Sequence, residues 1–333
     1  MFRIAPSLAA LVLALVPLAA GCGGDDALVV YSGRNETLVG PLLEQFEEES
    51  GVSLDVRYGD SAELAATIAE EGENTPADVF FAQDAGSLGS VGAEGLLAEL
   101  PAESLGRVEE RFRDPEERWV GTSGRVRVVA YNTEALSEAE LPDSIWDYAD
   151  PSWHGRLGLP PTNASFQAMV TAMRLEAGDE RTREWLEGIA ANEPRIFENN
   201  VQTLEAIAAG EIDAGFVNHY YLHGLMEEQP EAPVANHYLA AGDPGALVNV
   251  AGVGILRTTD RPGMAQQLVD YLLGPGQEYF AGETDEYPLV EGVSSESELP
   301  PLSDLHGPDV ELGALGPELE ATLAMLDSVG LTS

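Results

Sequence analysis

A two-domain α/β protein is the fold class this sequence predicts, and three observations predict it. Apolar runs of strand length alternate with segments of helical spacing along nearly the whole chain, the pattern of parallel sheets covered by helices on both faces. The chain has 333 residues; 312 remain once residues 1–21 are set aside as a targeting segment, and at about 100 to 200 residues per domain that makes two domains. After a short GGDD spacer there is no low-complexity linker, no second apolar span and no internal repeat.

The elements follow in order. Residues 1–21 read as a secretory signal peptide, a short apolar stretch ending in small residues, and are too short for a membrane span. Cys22, the only cysteine, closes the phrase LAAGC, which resembles the lipobox of bacterial lipoproteins, with residues 22–26 as spacer. Leucine one place early and a single base, Arg3, keep cleavage without lipid attachment as the alternative. One cysteine excludes intramolecular disulfides and thiolate metal clusters. Strands are predicted at 27–32 (ALVVYS), 52–58 (VSLDVRY), 77–82 (ADVFFA), 125–131 (RVRVVAY), 213–218 (DAGFVN) and 248–256 (VNVAGVGIL). Helical spacing occupies 42–49, 61–71, 165–177, 182–191, 201–210 and 263–273. Asn218 is the predicted N-cap of a further helix, HYYLHGLM.

Charge bounds the partners. Against 58 acids stand 16 basic residues, all arginine, and removing residues 1–21 takes away Arg3 but no acid, so the net charge moves from −42 to −43. Unaided nucleic-acid binding is excluded. Such a surface repels itself unless salt screens it, over a length that falls to about 3 Å at 1 M. A host living in brine and a genome rich in G and C are both consistent with arginine replacing lysine. Raising sodium chloride should therefore raise the thermal unfolding midpoint, and a midpoint that stays level or falls would count against a salt-adapted surface.

The phrase DAGFVNHYYLHGL, residues 213–225, sets two of the ten tyrosines side by side where a strand turns into a helix. Ligands of α/β sheets bind outside the carboxyl ends of the strands. Neighbours on a helix point about 100° apart, but in the first turn Tyr220 and Tyr221 can both lean toward one point in a cleft. A phenolate is a hard, charged oxygen suited to iron(III), and metal charge lowers a phenol's pKa from its ordinary value near 10. Core and rim packing is the alternative for an adjacent pair. His219 and His223, four apart, share a helical face and could hold zinc, or could be solvated. His154, His237 and His306 have no ligand spacing and read as structural.

Several phrases in order resemble the ferric-ion-binding proteins of bacterial ABC importers, a branch of the family 1 extracellular solute-binding proteins. They are VVYSGRNE (29–36), GENTPADVFFAQDAGSL (72–88), SGRVRVVAYNTEAL (123–136), TNASFQ (162–167), ENNVQTLEAIAAGEIDAGFVNHYYLH (198–223) and GQEYFAGETDEYPL (276–289). The resemblance implies a two-lobed type II periplasmic-binding-protein fold, with hinge strands joining two mixed or parallel sheets. Lobe 1 would comprise 27–125 and 238–300, and lobe 2 would comprise 126–237 and 301–333. It implies iron(III) held by Tyr220 and Tyr221, with Tyr131 as a further ligand or a strand residue beside the cleft. Arg125, Asn163 and Ser165 would hold a synergistic anion such as carbonate, with Arg127 facing the same way as Arg125 or lying at the surface.

Lobe 1 departs from the family pattern. Asn35 stands where many relatives have histidine, Glu36 where others have tyrosine, and Gln83 followed by Asp84 where a glutamate is expected. Glu36 could supply the missing carboxylate, an anion and water could complete the shell, or the pocket could have turned to another ligand. The expected protein is a monomeric, extracytoplasmic, lipid-anchored binding protein that passes iron to a permease and its ATPase, and not an enzyme. One rival keeps the fold and binds a phosphonate or other small anion. An exported hydrolase using Asp84, Glu36 or His219 is the other rival, and it lacks any GxSxG phrase.

Overall fold

The structure, a computed structural model, describes residues 27–293 and 299–332; Cys22, the expected signal peptide and its spacer lie outside the described residues. The chain begins β1 (Leu28–Ser32), α1 (Glu36–Ser50), β2 (Leu54–Tyr58), α2 (Ser61–Glu71), β3 (Val79–Ala82), α3 (Ala85–Ala93) and α4 (Ala102–Leu105). The 14-residue β4 (Trp119–Asn132) leads to β5 (Leu157–Leu159), α5 (Ala164–Ala177), α6 (Asp179–Ala191), β6 (Arg195–Ile196) and α7 (Asn200–Ala208). Next come β7 (Ala214–Asn218), α8 (Tyr221–Glu228) and β8 (Val234–His237). The remainder is β9 (Val248–Ile255), α9 (Pro262–Leu272), α10 (Pro275–Glu283), β10 (Tyr287–Pro288) and α11 (Leu319–Ser328).

Five helix starts follow from single residues. Asn35, Asp60, Asp84, Asn163 and Asn199 each turn a side-chain oxygen onto a first-turn N–H of α1, α2, α3, α5 and α7, meeting donors that a helix cannot satisfy internally. No helix among the described residues is long and apolar enough to cross a membrane.

The strands run in the order β2-β1-β3-β9-β4-β7-β5-β6, with β10 and β8 attached to β4. Parallel pairing holds where βαβ alternation predicts it, at β1/β2, β1/β3, β5/β6 and β5/β7. The centre differs: β9 runs antiparallel to β3 and β4, and β4 antiparallel to β7. The reason lies in β4, which is a connector between lobes and not a step of a βαβ unit. Its residues Trp119–Val126 pair with β9, whereas Arg127–Tyr131 pair with β7. One buried strand thus belongs to both lobes and changes partner between Val126 and Arg127.

Side-chain alternation along β4 separates two cores. Val126, Val128 and Ala130 join the core that runs through lobe 1 and under α7 and α8, while Val129 and Tyr131 face a second core with Phe166, Trp185 and Phe216. The packing changes lobes later than the expected boundaries at 238 and 301. Leu239 and Ala246 still pack in the second core, and Asp243 binds Ser144 Oγ at 2.7 Å, so that crossing falls just before β9. Leu312 and Leu315 pack in the lobe-1 core, and Gly89 of α3 lies against Gly313 too closely for a Cβ at 89; α11, with Met325 and Leu326, packs in the second core.

Candidate functional site

β7 delivers the tyrosine pair. Its five buried residues, AGFVN, end at Asn218, and α8 begins at Tyr221 after a turn through His219 and Tyr220. Asn218 is not the helix cap that the sequence suggested. Tyr220 occupies that position without a capping side chain, because the Asn218 amide is engaged inside the sheet: its oxygen accepts from Arg127 Nη1 and its nitrogen donates to Ser165 Oγ, each at 3.1 Å. The Tyr220 and Tyr221 rings stack at 4.4 Å and 33°, so their hydroxyls project side by side. Burial raises the Tyr220 pKa well above its ordinary value; the neighbouring Tyr221 and Glu286 add to this, and Arg125 opposes it.

Two arginines lie beneath the pair. Arg125 and Arg127, two apart on β4, are both buried. Arg125 donates Nη2 to the Gln83 carbonyl of lobe 1, while its Nη1 lies 3.8 Å from Glu286 Oε1 and makes no hydrogen bond. Among the described residues Arg127 has no carboxylate partner. Its Nη1 reaches Asn200 Oδ1 and Asn218 Oδ1 at 3.1 Å, and its Nη2 reaches the Phe216 carbonyl at 2.7 Å. Burial lowers its pKa to about 9, with charge on Tyr221 and Tyr220 working the other way. Arg127 is therefore not the surface charge that was one expectation for it.

The network continues to the start of α5. Asn200 Nδ2 donates to Asn163 Oδ1, which also takes the Ser165 N–H as the helix cap. Phe166 and Gln167 send their N–H groups to the Asn163 carbonyl. These bonds satisfy Asn163 and the N–H groups of Ser165, Phe166 and Gln167, so the first turn is not the open cradle of donors that the sequence suggested. Of the two arginines, Arg125 Nη1 and Arg127 Nε are the donors left without a hydrogen bond among the described residues.

Lobe 1 contributes differently from expectation. Asn35 is exposed and caps α1, accepting from Thr37 N and Oγ1 at 2.8 and 2.6 Å. Glu36 is exposed and acts on Tyr58, not on the pair, in keeping with its place on the outer side of α1. Asp84 caps α3 through Ser87. Of this group only Gln83 meets the arginines, and it does so through its backbone. The buried lobe-1 carboxylate near the site is Glu286, which sequence reasoning missed. Arg34 grips it with two hydrogen bonds of 3.0 and 2.6 Å, and Ser123 Oγ adds a third at 3.0 Å. Arg34, Asn200 and Glu286 each sit in a phrase already singled out, yet arginine, asparagine and glutamate there carry no spacing that reveals long-range pairing.

Three candidate ligands do not join the site. Tyr131 is buried in the second core and pairs with Ala214, at the opposite end of β7 from the tyrosines; four residues of strand is about 13 Å. His219 and His223 do not share a metal. His219 precedes the helix and is buried, and burial lowers its pKa to about 4, whereas His223 is exposed and binds Asp285 at 2.6 Å. Among the described residues no group of three His, Cys, Asp or Glu could hold a metal ion. Beside the site, a cleft of about 780 Å³ opens between the lobes, lined by α2 and α3 on one side and by Asn163, Ala164 and Gln167 on the other.

Known proteins resemble this chain in sequence and in fold. Residues 74–310 match the model of a family described as bacterial extracellular solute-binding protein. A Fe(3+)-binding periplasmic protein of Serratia marcescens is 32% identical over 301 residues, covering 89% of each chain. Iron-bound HitA from Pseudomonas aeruginosa superposes with a TM-score of 0.85 at 34% identity, covering 92% of this chain and 100% of the other. A Trichodesmium FutA in complex with iron and citrate superposes with a TM-score of 0.81 at 28% identity, covering 92% and 99%.

Proposed function

This chain belongs to the bacterial extracellular solute-binding protein family, and on that premise we propose that it captures ferric ion outside the cytoplasm through Tyr220 and Tyr221. In the same reading it delivers that cargo to an ABC permease driven by a cytoplasmic ATPase. The protein is not an enzyme; its relatives include a Fe(3+)-binding periplasmic protein and iron-bound HitA. One observation carries the reading: two stacked phenols at the carboxyl end of a buried strand, above an arginine with an uncommitted nitrogen.

As the ion arrives, each phenol gives its proton to water and the two phenolates offset two of the three positive charges. A carbonate-like anion against Arg125 Nη1 offsets the third, with Asn163 and Ser165 holding the Asn200 and Asn218 side chains that fix the neighbouring Arg127. Lobe 1 then closes about the strand shared by both lobes, and expulsion of water strengthens every charge interaction inside. Glu36 and Asn35 face solvent and contribute nothing in this arrangement, so the anion and water complete the shell. Release follows when the permease parts the lobes and the phenolates regain protons. Anchoring through a lipid on Cys22 after removal of residues 1–21, and action as a monomer, belong to the same proposal.

Purified protein given iron(III) with bicarbonate should develop a visible phenolate-to-iron charge-transfer band that a strong chelator bleaches. The Arg125 nitrogen that makes no hydrogen bond also favours a second reading, binding of a phosphonate or other small anion without metal. Calorimetric uptake of such an anion by metal-free protein, with no band on adding iron, would replace the first reading by the second.

A further inference from the structure

We propose that Asp285 is a positioning residue for the tyrosine pair, clamping the turn that carries Tyr220 and Tyr221 from the lobe-1 side; this rests on the ferric-ion reading above. His219 and His223 bracket the pair, and both converge on this one residue. His219 Nδ1 accepts the Val126 N–H at 3.3 Å, which leaves Nε2 as the donor to the Asp285 carbonyl oxygen at 3.0 Å. His223 Nδ1 meets the Asp285 carboxylate at 2.6 Å. The turn is thus gripped one residue before the tyrosines and two residues after them.

The gripping residue is itself held. Glu286 follows it, locked by Arg34 and by a backbone bond to Phe280 of 3.1 Å. Tyr287 pairs with Gly124 of β4 and stacks on the His219 ring at 4.8 Å. Asp285 has φ 52°, in the left-handed region that aspartate and asparagine tolerate better than other residues bearing a Cβ. That conformation presents the backbone oxygen to one histidine and the carboxylate to the other. Groups that hold a metal ligand in place from behind commonly contribute 10- to 100-fold to metal affinity, and the clamp does this for two ligands at once.

Two variants separate the clamp from the fold. Asp285→Gly keeps the backbone conformation and the bond to His219 but removes the carboxylate; Asp285→Asn keeps an acceptor oxygen for His223. In iron-free protein, hydrogen exchange at the amides of Leu222 and His223, which bond to the His219 and Tyr220 carbonyls, should quicken several-fold in the glycine variant and stay at the wild-type rate in the asparagine variant. Ferric affinity should fall roughly ten-fold in the glycine variant alone, with the unfolding midpoint of both little changed, since partly exposed ion pairs contribute little to stability. Wild-type exchange or wild-type affinity in the glycine variant would overturn the clamp, as would equal losses in both variants. A wild-type protein without an iron band would instead overturn the ferric reading, and the exchange comparison would then decide the clamp alone.

Discussion

Replacing both Tyr220 and Tyr221 with phenylalanine abolishes the iron band and ferric binding while leaving the fold in place. The exchange removes two oxygen atoms and no carbon, so the 4.4 Å ring stack and the apolar contacts of both rings survive. A hydrogen bond between neutral groups contributes about 1 kcal/mol, and that bounds the stability lost. Against iron the loss is far larger, because no other ionisable oxygen on the turn can replace a phenolate. Each single variant should retain a weaker complex with a shifted band. Proton release gives an independent count: the wild type should liberate two phenolic protons per ion bound, and the double variant none. Binding should weaken as pH falls, most steeply because burial already holds the Tyr220 pKa high and protons compete with the ion. Unaltered ferric affinity in the double variant would discard the mechanism.

What could be read in advance follows from how local each feature is. The tyrosine pair was legible because strand, turn and helix are contiguous in DAGFVNHYYLHGL, and the placement rule for α/β ligands depends only on their order. The facing of Arg125 and Arg127 was legible for the same reason, from the two-residue period of a strand. Asn218 was misread as a cap because its true partners, Arg127 and Ser165, are 91 and 53 residues away. Tyr131 was misplaced because a strand pattern fixes which side a residue faces but not which end of the neighbouring strand it meets. The lobe-1 carboxylate was sought near Asn35 and Gln83, where the chain is close in sequence. The buried carboxylate beside the site is instead Glu286, paired with Arg34 252 residues earlier, and no periodicity encodes that distance. The antiparallel centre was hidden likewise, since it reflects a strand serving two lobes.

That long-range pair carries the second large prediction: Glu286→Gln should lower stability by about 3–5 kcal/mol, the usual cost of leaving one member of a buried ion pair alone. Arg34 and Glu286 are almost inaccessible to water, Arg34 packs against Phe81 and Phe280, and its nearest other charge effects come from Tyr220 and Tyr279. With glutamine at 286 the guanidinium stays charged and has no anion to face. Burial works to raise the Glu286 pKa, but Arg34 outweighs it, with Arg125 and Ser123 helping, and the carboxyl is held below its ordinary range. A group depressed in the folded state contributes stability above its unfolded pKa and loses it as pH falls through the folded value. The gap between wild type and variant should therefore be full at neutral pH and shrink only below about pH 4, the unfolded carboxylate value. Replacing both partners with methionine should be less damaging than Glu286→Gln alone, because no buried charge is then stranded. Thermal or denaturant unfolding from pH 7 to pH 3 measures all three proteins. A glutamine variant as stable as the wild type at pH 7 would show that Arg34 finds its counter-charge elsewhere, and a gap that persists undiminished in acid would show that the loss is not one of charge.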